Sequence, residues 1–332
     1  MGRFNSASEF EDFVAANAAG MAGDLLKTAG ESQNDDEART RRVREALEAA
    51  WPEGMASLRA ALFAMGQHGL WMLNRLDEVE RDSPRDPHQP VRMGLALLQS
   101  SATLTLGEIR TLIEAGYWAG AASRWRALHE GAVAAKLIAQ GGPRIAQRFL
   151  DHGYVVQTRR LSEYLSNHGV GPVPEEELQD RIATADELER TNAMADSKYP
   201  FDSQYGWAVP LMPLGAKGRR VPPTMDQLEK LAMLSHRRLL VASSHGLVHG
   251  DAAGIQTSVL LGDSRWLLGP TEHFAETVAR PTLDTLIHLV GATHLGFEPA
   301  LNTFSETLGI AAAGLMQVCA DGVVAFERPM ST

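Results

Sequence analysis

Cysteine is almost missing from this chain: one residue, Cys319, stands in 332. No internal disulfide can form, and a reducing cytoplasmic setting is expected. Long apolar runs are missing as well. The longest uncharged stretch near the C-terminus, Leu308 to Ala320, is broken by glycine and too short to cross a bilayer, so no membrane partner is expected. The opening MGRFNSASEFEDF turns acidic at once and lacks the apolar centre of a secretory signal. It fits the loose Met-Gly-x-x-x-Ser acylation pattern, which carries little weight alone.

Positive charge is in deficit. Thirty-one Lys and Arg face 41 Asp and Glu, for a net charge of −10. Proteins that hold nucleic acid through its phosphates usually show a basic footprint, so RNA is disfavoured unless a local basic pocket exists. The short clusters RTRRVR (39–44), Arg159-Arg160, Arg219-Arg220 and Arg237-Arg238 read as solvated faces. Nucleotide and esterase signatures are absent too: no G-x-S-x-G, P-loop or G-x-G-x-x-G occurs. GDSRW at 262–266 lacks the α/β context that presents a nucleophile, and Cys319 sits in an apolar helix as core.

What is present is helical spacing. Hydrophobic content of 44% and charged content of 22% fit a folded globular chain. Ser8 to Glu11 has the form of a capping box and opens a helix to about Ala29. Further helices are expected at 36–50 and then to about Glu80, on the stripe Met55, Leu58, Leu62, Phe63, Met65, Leu70, Leu73, Leu76. RDSPRDPHQP, 81–90, with three prolines, is the best boundary. Beyond it, helices end at Gly116 and at Gly141-Gly142, and another starts at Pro143. An acidic helix covers 174–195, and the five-proline stretch 197–223 reads as a long loop. Thr224 and Gln227 cap a helix running to His249-Gly250, and two more follow at 271–295 and 301–318. Thr257–Leu261 and the closing GVVAFER read as short strands. The fold expected is an all-α helical bundle: an N-terminal helical extension at 1–85, a core at 86–332, and at most a minor β element near the C-terminus.

Two stretches carry candidate chemistry. In RWRALHE (124–130), Arg126 and Glu130 are one helical turn apart and can pair. In HRRLLVASSHGLVHGD (236–251), His245 and His249 share a helix face and could ligate a metal, with Glu130 or Asp251 as a third ligand. Residue 246 is glycine, so the zinc-peptidase H-E-x-x-H is not formed. His249-Gly250 also reads as an ordinary helix end, where imidazole favours the dipole and glycine takes the left-handed cap. Arg238 and His245 fit the R-x4–6-H arrangement of HEPN-type ribonucleases, in which imidazole and guanidinium act on RNA without metal. Arg81/His88 and Arg124/His129 fit that spacing equally, so the pattern stands at background.

Four pieces occur in order: RWRALHE, RFLDH (148–152), YGWA (205–208) and SSHGLVHG (243–250). Together they resemble the bacterial helical proteins of the domain of unknown function 5677 family, over about residues 90–255. That resemblance points to Arg126, Glu130, Arg148, Ser244 and His249, with His245 less supported, and implies no assigned activity. A HEPN-like fold and a role in phage defence follow from analogy. These residues would place a carboxylate, two guanidiniums, a hydroxyl and an imidazole in one apolar bundle, under a Tyr205–Trp207 cover. Three readings stay open: a non-catalytic ligand-binding or defence-associated subunit, a metal-independent ribonuclease, and a metal-bound helical enzyme. No cofactor is assigned. A homodimer is expected, through the small residues at 119–123 or the apolar face of 309–320.

Overall fold

The computed structural model describes residues 35–82, 86–169, 173–215, 217–237, 270–297 and 306–327, with isolated short stretches between them. The first expected helix, at 8–29, lies almost wholly outside these residues. The others form where spacing put them: α1 (35–50), α2 (Pro52–Asp82), α3 (Gln89–Glu114), α4 (Trp118–His168), α5 (Glu175–Asn192), α6 (Met225–Leu231), α7 (Ala275–Phe297) and α8 (Glu306–Ala325). The architecture is an all-α bundle. The β content described is a two-residue hairpin, Leu260–Leu261 against Arg265–Trp266, antiparallel with Leu260 opposite Trp266. Among the described residues, no helix is long and apolar enough to cross a membrane.

Apolar residues three and four apart become the core because that spacing returns them to one face. α2 buries Met55, Leu58, Ala61, Met65 and Met72 completely, and α3 does the same with Leu95, Leu106 and Ile109. α4 adds Trp125, Ala132 and Ile138, and α7 adds Leu283, Leu286 and Leu289, all in one contiguous cluster that also takes in Val43 and Leu47 of α1. Each such leucine or isoleucine contributes about 1.5–3 kcal/mol relative to exposure. The small residues Ala121 and Ala122 are spent inside this cluster, and Gly120 faces Leu112 of α3.

α4 is two helical arms. Gly142 breaks it with φ 65° and ψ −160°, and Pro143 follows, starting the second arm without needing an N–H partner. The first arm packs between α3 and α7; the second receives α5 and the 193–223 segment.

Three expectations need correction. The helix from Thr224 does not run unbroken to Gly250. Its capping box forms as read, but α6 ends at Leu231. Met233 takes the left-handed conformation (φ 57°), and Leu234 N–H reaches back to Glu229 C=O at 2.8 Å. That is a helix-ending motif in which methionine stands where glycine is usual, so no sequence punctuation announced it. A 3₁₀ turn at Ser235–Arg237 follows. GVVAFER is not a strand: α8 continues through Ala325 and brings Phe326 against Trp51 and Gly54. The 197–223 loop is not wholly irregular, since Gly206–Leu211 forms a 3₁₀ helix.

Candidate functional site

Among the residues singled out by sequence, Arg126 and Glu130 act electrostatically on Tyr205, next to the Gly206 that Arg148 holds. Arg126 Nε donates to Glu130 Oε1 at 3.0 Å, both side chains being partly exposed. A pair of this kind at i,i+4, in the less favourable order, contributes about 0.3–0.5 kcal/mol. Arg148 lies in the second arm of α4 and is 6% exposed. Its Nε donates to Trp207 C=O at 3.1 Å, Nη2 to Gly206 C=O at 3.1 Å, and Nη1 to Asn192 C=O and Oδ1 at 2.8 and 3.2 Å. The guanidinium carbon sits 5.0 Å above the centre of the Phe201 ring. Arg148 thus fastens the end of α5 and the 3₁₀ turn to α4. The turn also needs Gly206 itself, because a Cβ there would lie 1.9 Å from Phe201 O. Ser244 is fully buried and donates to Val241 C=O at 2.9 Å, a local helix bond. Arg238, His245 and His249 lie outside the described residues.

A second convergence was not singled out by the sequence reading. It lies where the first arm of α4, the α6–3₁₀ segment and α7 meet. His129 of α4 and Glu229 of α6 face each other with Nε2 and Oε1 3.2 Å apart, at 1% and 0% side-chain exposure. His129 stacks on Trp125, whose Nε1–H donates to Thr285 Oγ1 of α7 at 3.1 Å. Beside this floor, His236 and Arg237 of the 3₁₀ turn meet Asp284 and His288, one turn apart on α7. His236 Nε2 is 3.3 Å from Asp284 Oδ2, and Arg237 donates to the same oxygen from Nε at 3.1 Å, with Nη2 2.9 Å from it in an ion pair. The His236 and His288 rings are 5.7 Å apart, edge to face. One nitrogen from each imidazole and a carboxylate oxygen lie within 4.8 Å of one another, on side chains that are exposed or half-buried.

The electrostatics follow from burial and from a surplus of cations. Burial, with His236, His288 and Arg237 nearby, lowers the His129 pKa to about 4, against a weaker opposing pull from Asp284. His129 is therefore neutral at pH 7. Burial works against charge on Asp284, but the Arg237 hydrogen bond and charge and the His236 bond outweigh it, holding that carboxyl below its usual range. His288 is lowered by burial; Asp284 opposes this, while Lys136, His236 and Arg237 reinforce it. Tyr205, in the loop fastened by Arg148, connects to this region. Burial first, then Glu130, raises its phenol to about 12 against Arg126, with Glu229 also contributing.

One signal in the sequence could have found the junction: DTLIH (284–288) puts carboxylate and imidazole at i,i+4 on a helix with a strong apolar face. His129 lies inside RWRALHE, directly before Glu130.

Fold and site together define an all-α bundle with a histidine–aspartate junction on one side and an arginine-fastened loop on another. Residues 93–264, more than half of the chain, match the Family of unknown function (DUF5677), and the chain belongs to that family. The matched segment includes His129, Glu229, His236 and Arg237, while α7 brings Asp284 and His288 from beyond it. No curated protein and no solved structure matches the chain.

Proposed function

We propose that the junction of α4, the α6–3₁₀ segment and α7 is a ligand-binding site, and that the chain works as a ligand-binding helical protein. One observation carries this. Six ionisable side chains from three separate segments gather in a gradient from full burial at His129 and Glu229 to open solvent at His236. Apolar residues of similar volume would hold three helices together at least as well, because buried ionic groups repay their desolvation poorly. Groups kept at such a place are characteristic of sites.

The test uses the conflict between stability and function. Asp284→Ala and His288→Ala are expected to leave unfolding in urea within about 1 kcal/mol of the native protein, or to stabilise it. A loss above about 3 kcal/mol in each would assign the junction to structure and overturn the reading. A metal-independent ribonuclease is the second reading, favoured by Lys136 and Arg237 beside His236 and His288, a cationic spot on an acidic protein. RNA cleavage that survives chelator and disappears in His288→Ala would move the assignment there.

A further inference from the structure

We propose that the ligand held directly by the junction is a divalent transition-metal ion of the zinc class, with His236, Asp284 and His288 as its protein ligands. The inference rests on the reading of the junction as a binding site and adds its chemistry. Two imidazoles and a carboxylate form the donor set that borderline ions such as Zn²⁺ take, and three protein ligands leave a fourth position open.

The spacing fits. Ligands bound at about 2.0–2.1 Å in a tetrahedral arrangement stand about 3.3 Å from each other. His236 Nε2 and Asp284 Oδ2 are 3.3 Å apart. Asp284 and His288 share one face of α7, a rigid element, so two of the three donors are fixed relative to each other.

Arg237 shares the ligating oxygen rather than displacing it: its Nε hydrogen bond, its Nη2 ion pair and the His236 contact all fall on Oδ2. A guanidinium bonded to a ligating carboxylate orients it, as outer partners commonly do in metal sites. Access agrees. The His236 side chain is 46% exposed and that of Asp284 22%, so an ion can enter from solvent. Beneath the ligands, His129 and Glu229 are sealed and fix the floor rather than reach the ion.

The open position faces solvent, so the ion can take an external oxygen ligand. Lys136 and Arg237 stand close enough to bias that ligand toward an anion, a phosphate or a carboxylate. Neither group is needed for ion uptake itself.

The experiment is calorimetric titration of the full chain, stripped with chelator, with Zn²⁺ alone, alongside the visible spectrum of the Co²⁺ form. The expected result is one equivalent bound, with the intense bands of low-coordinate Co²⁺. Asp284→Ala and His288→Ala should weaken binding at least 100-fold and abolish those bands. Arg237→Gln should weaken it by about 10–100-fold, the usual consequence of removing an outer partner. Asp284→Asn and His288→Gln serve if the alanine variants fail to fold. Uptake below a tenth of an equivalent, or uptake unchanged when Asp284→Ala and His288→Ala are combined, overturns the assignment. If variants lose no stability and no metal binds, the ligand-binding reading stands with another ligand. If metal binds and the variants unfold, the ion is structural and that reading falls.

Discussion

Arg148 and Asp284 are both partly or fully buried charges beside 3₁₀ turns, yet their surroundings are opposite. Around Arg148, four hydrogen bonds go to neutral acceptors, and Phe201 covers a face. Its charge is answered at one remove, through Asn192, whose Nδ2 donates to Asp151 Oδ2 at 2.8 Å. Around Asp284, a guanidinium and two imidazoles crowd one carboxylate, partly in solvent. In the first arrangement every guanidinium nitrogen is bonded and the residue is 6% exposed. The second has donors to spare and an entrance. Saturation marks a charge that holds a fold together; surplus with access marks one that waits for something else.

The largest effects should come from breaking the closed side. Arg148→Ala removes a buried charge and orphans the carbonyls of Asn192, Gly206 and Trp207. It is expected to cost about 3–5 kcal/mol in urea unfolding. Arg148→Lys cannot reproduce the fork and should recover less than half of that. Both proteins, where folded, should bind Zn²⁺ as the native chain does. A cost below about 1 kcal/mol for Arg148→Ala would erase the distinction between the two regions. An intermediate effect is expected at Thr285→Val. It keeps the shape but leaves the buried Trp125 N–H without its acceptor, for about 1–3 kcal/mol. Because Thr285 adjoins Asp284, this change should also loosen Zn²⁺ binding, which calorimetry would read. Unchanged affinity would separate the floor from the site.

The bundle was legible because periodicity records burial directly. Gly141-Gly142-Pro143 announced the break in α4, and Thr224 with Gln227 announced the start of α6. The end of α6 was not legible, since it rests on a methionine in a conformation that glycine usually marks. Arg148 was legible as an important residue but not as a fastener, because its partners are backbone carbonyls, which every residue offers. Asp284 and His288 escaped for another reason. Their meaning depends on His236 from a different segment, and a sequence of 332 residues does not show which segments meet. Arg126 and Glu130 were read correctly as a pair.

The smallest expected effect lies in pH dependence on the closed side, and its sign is fixed by burial. His152 donates from Nε2 to Ser203 C=O at 2.9 Å, joining the Arg148 loop to α4. Burial lowers its pKa; the Ser203 bond and Asp202 oppose this, and Arg148 and Arg160 add to it. A histidine lowered in the folded state binds its proton more readily when unfolded. Its contribution is therefore intact above the unfolded value, about 6.5, and declines as pH falls from there toward the folded value. The urea midpoint should fall between pH 7 and pH 5.5 in the native chain, and fall less in His152→Gln, whose amide can still donate to Ser203. Equal slopes would mean that the loop does not sense this proton. A steeper slope in the variant would mean that the charged imidazole stabilises the loop, and the fastening at Arg148 would then tolerate a second cation that its saturated surroundings should reject.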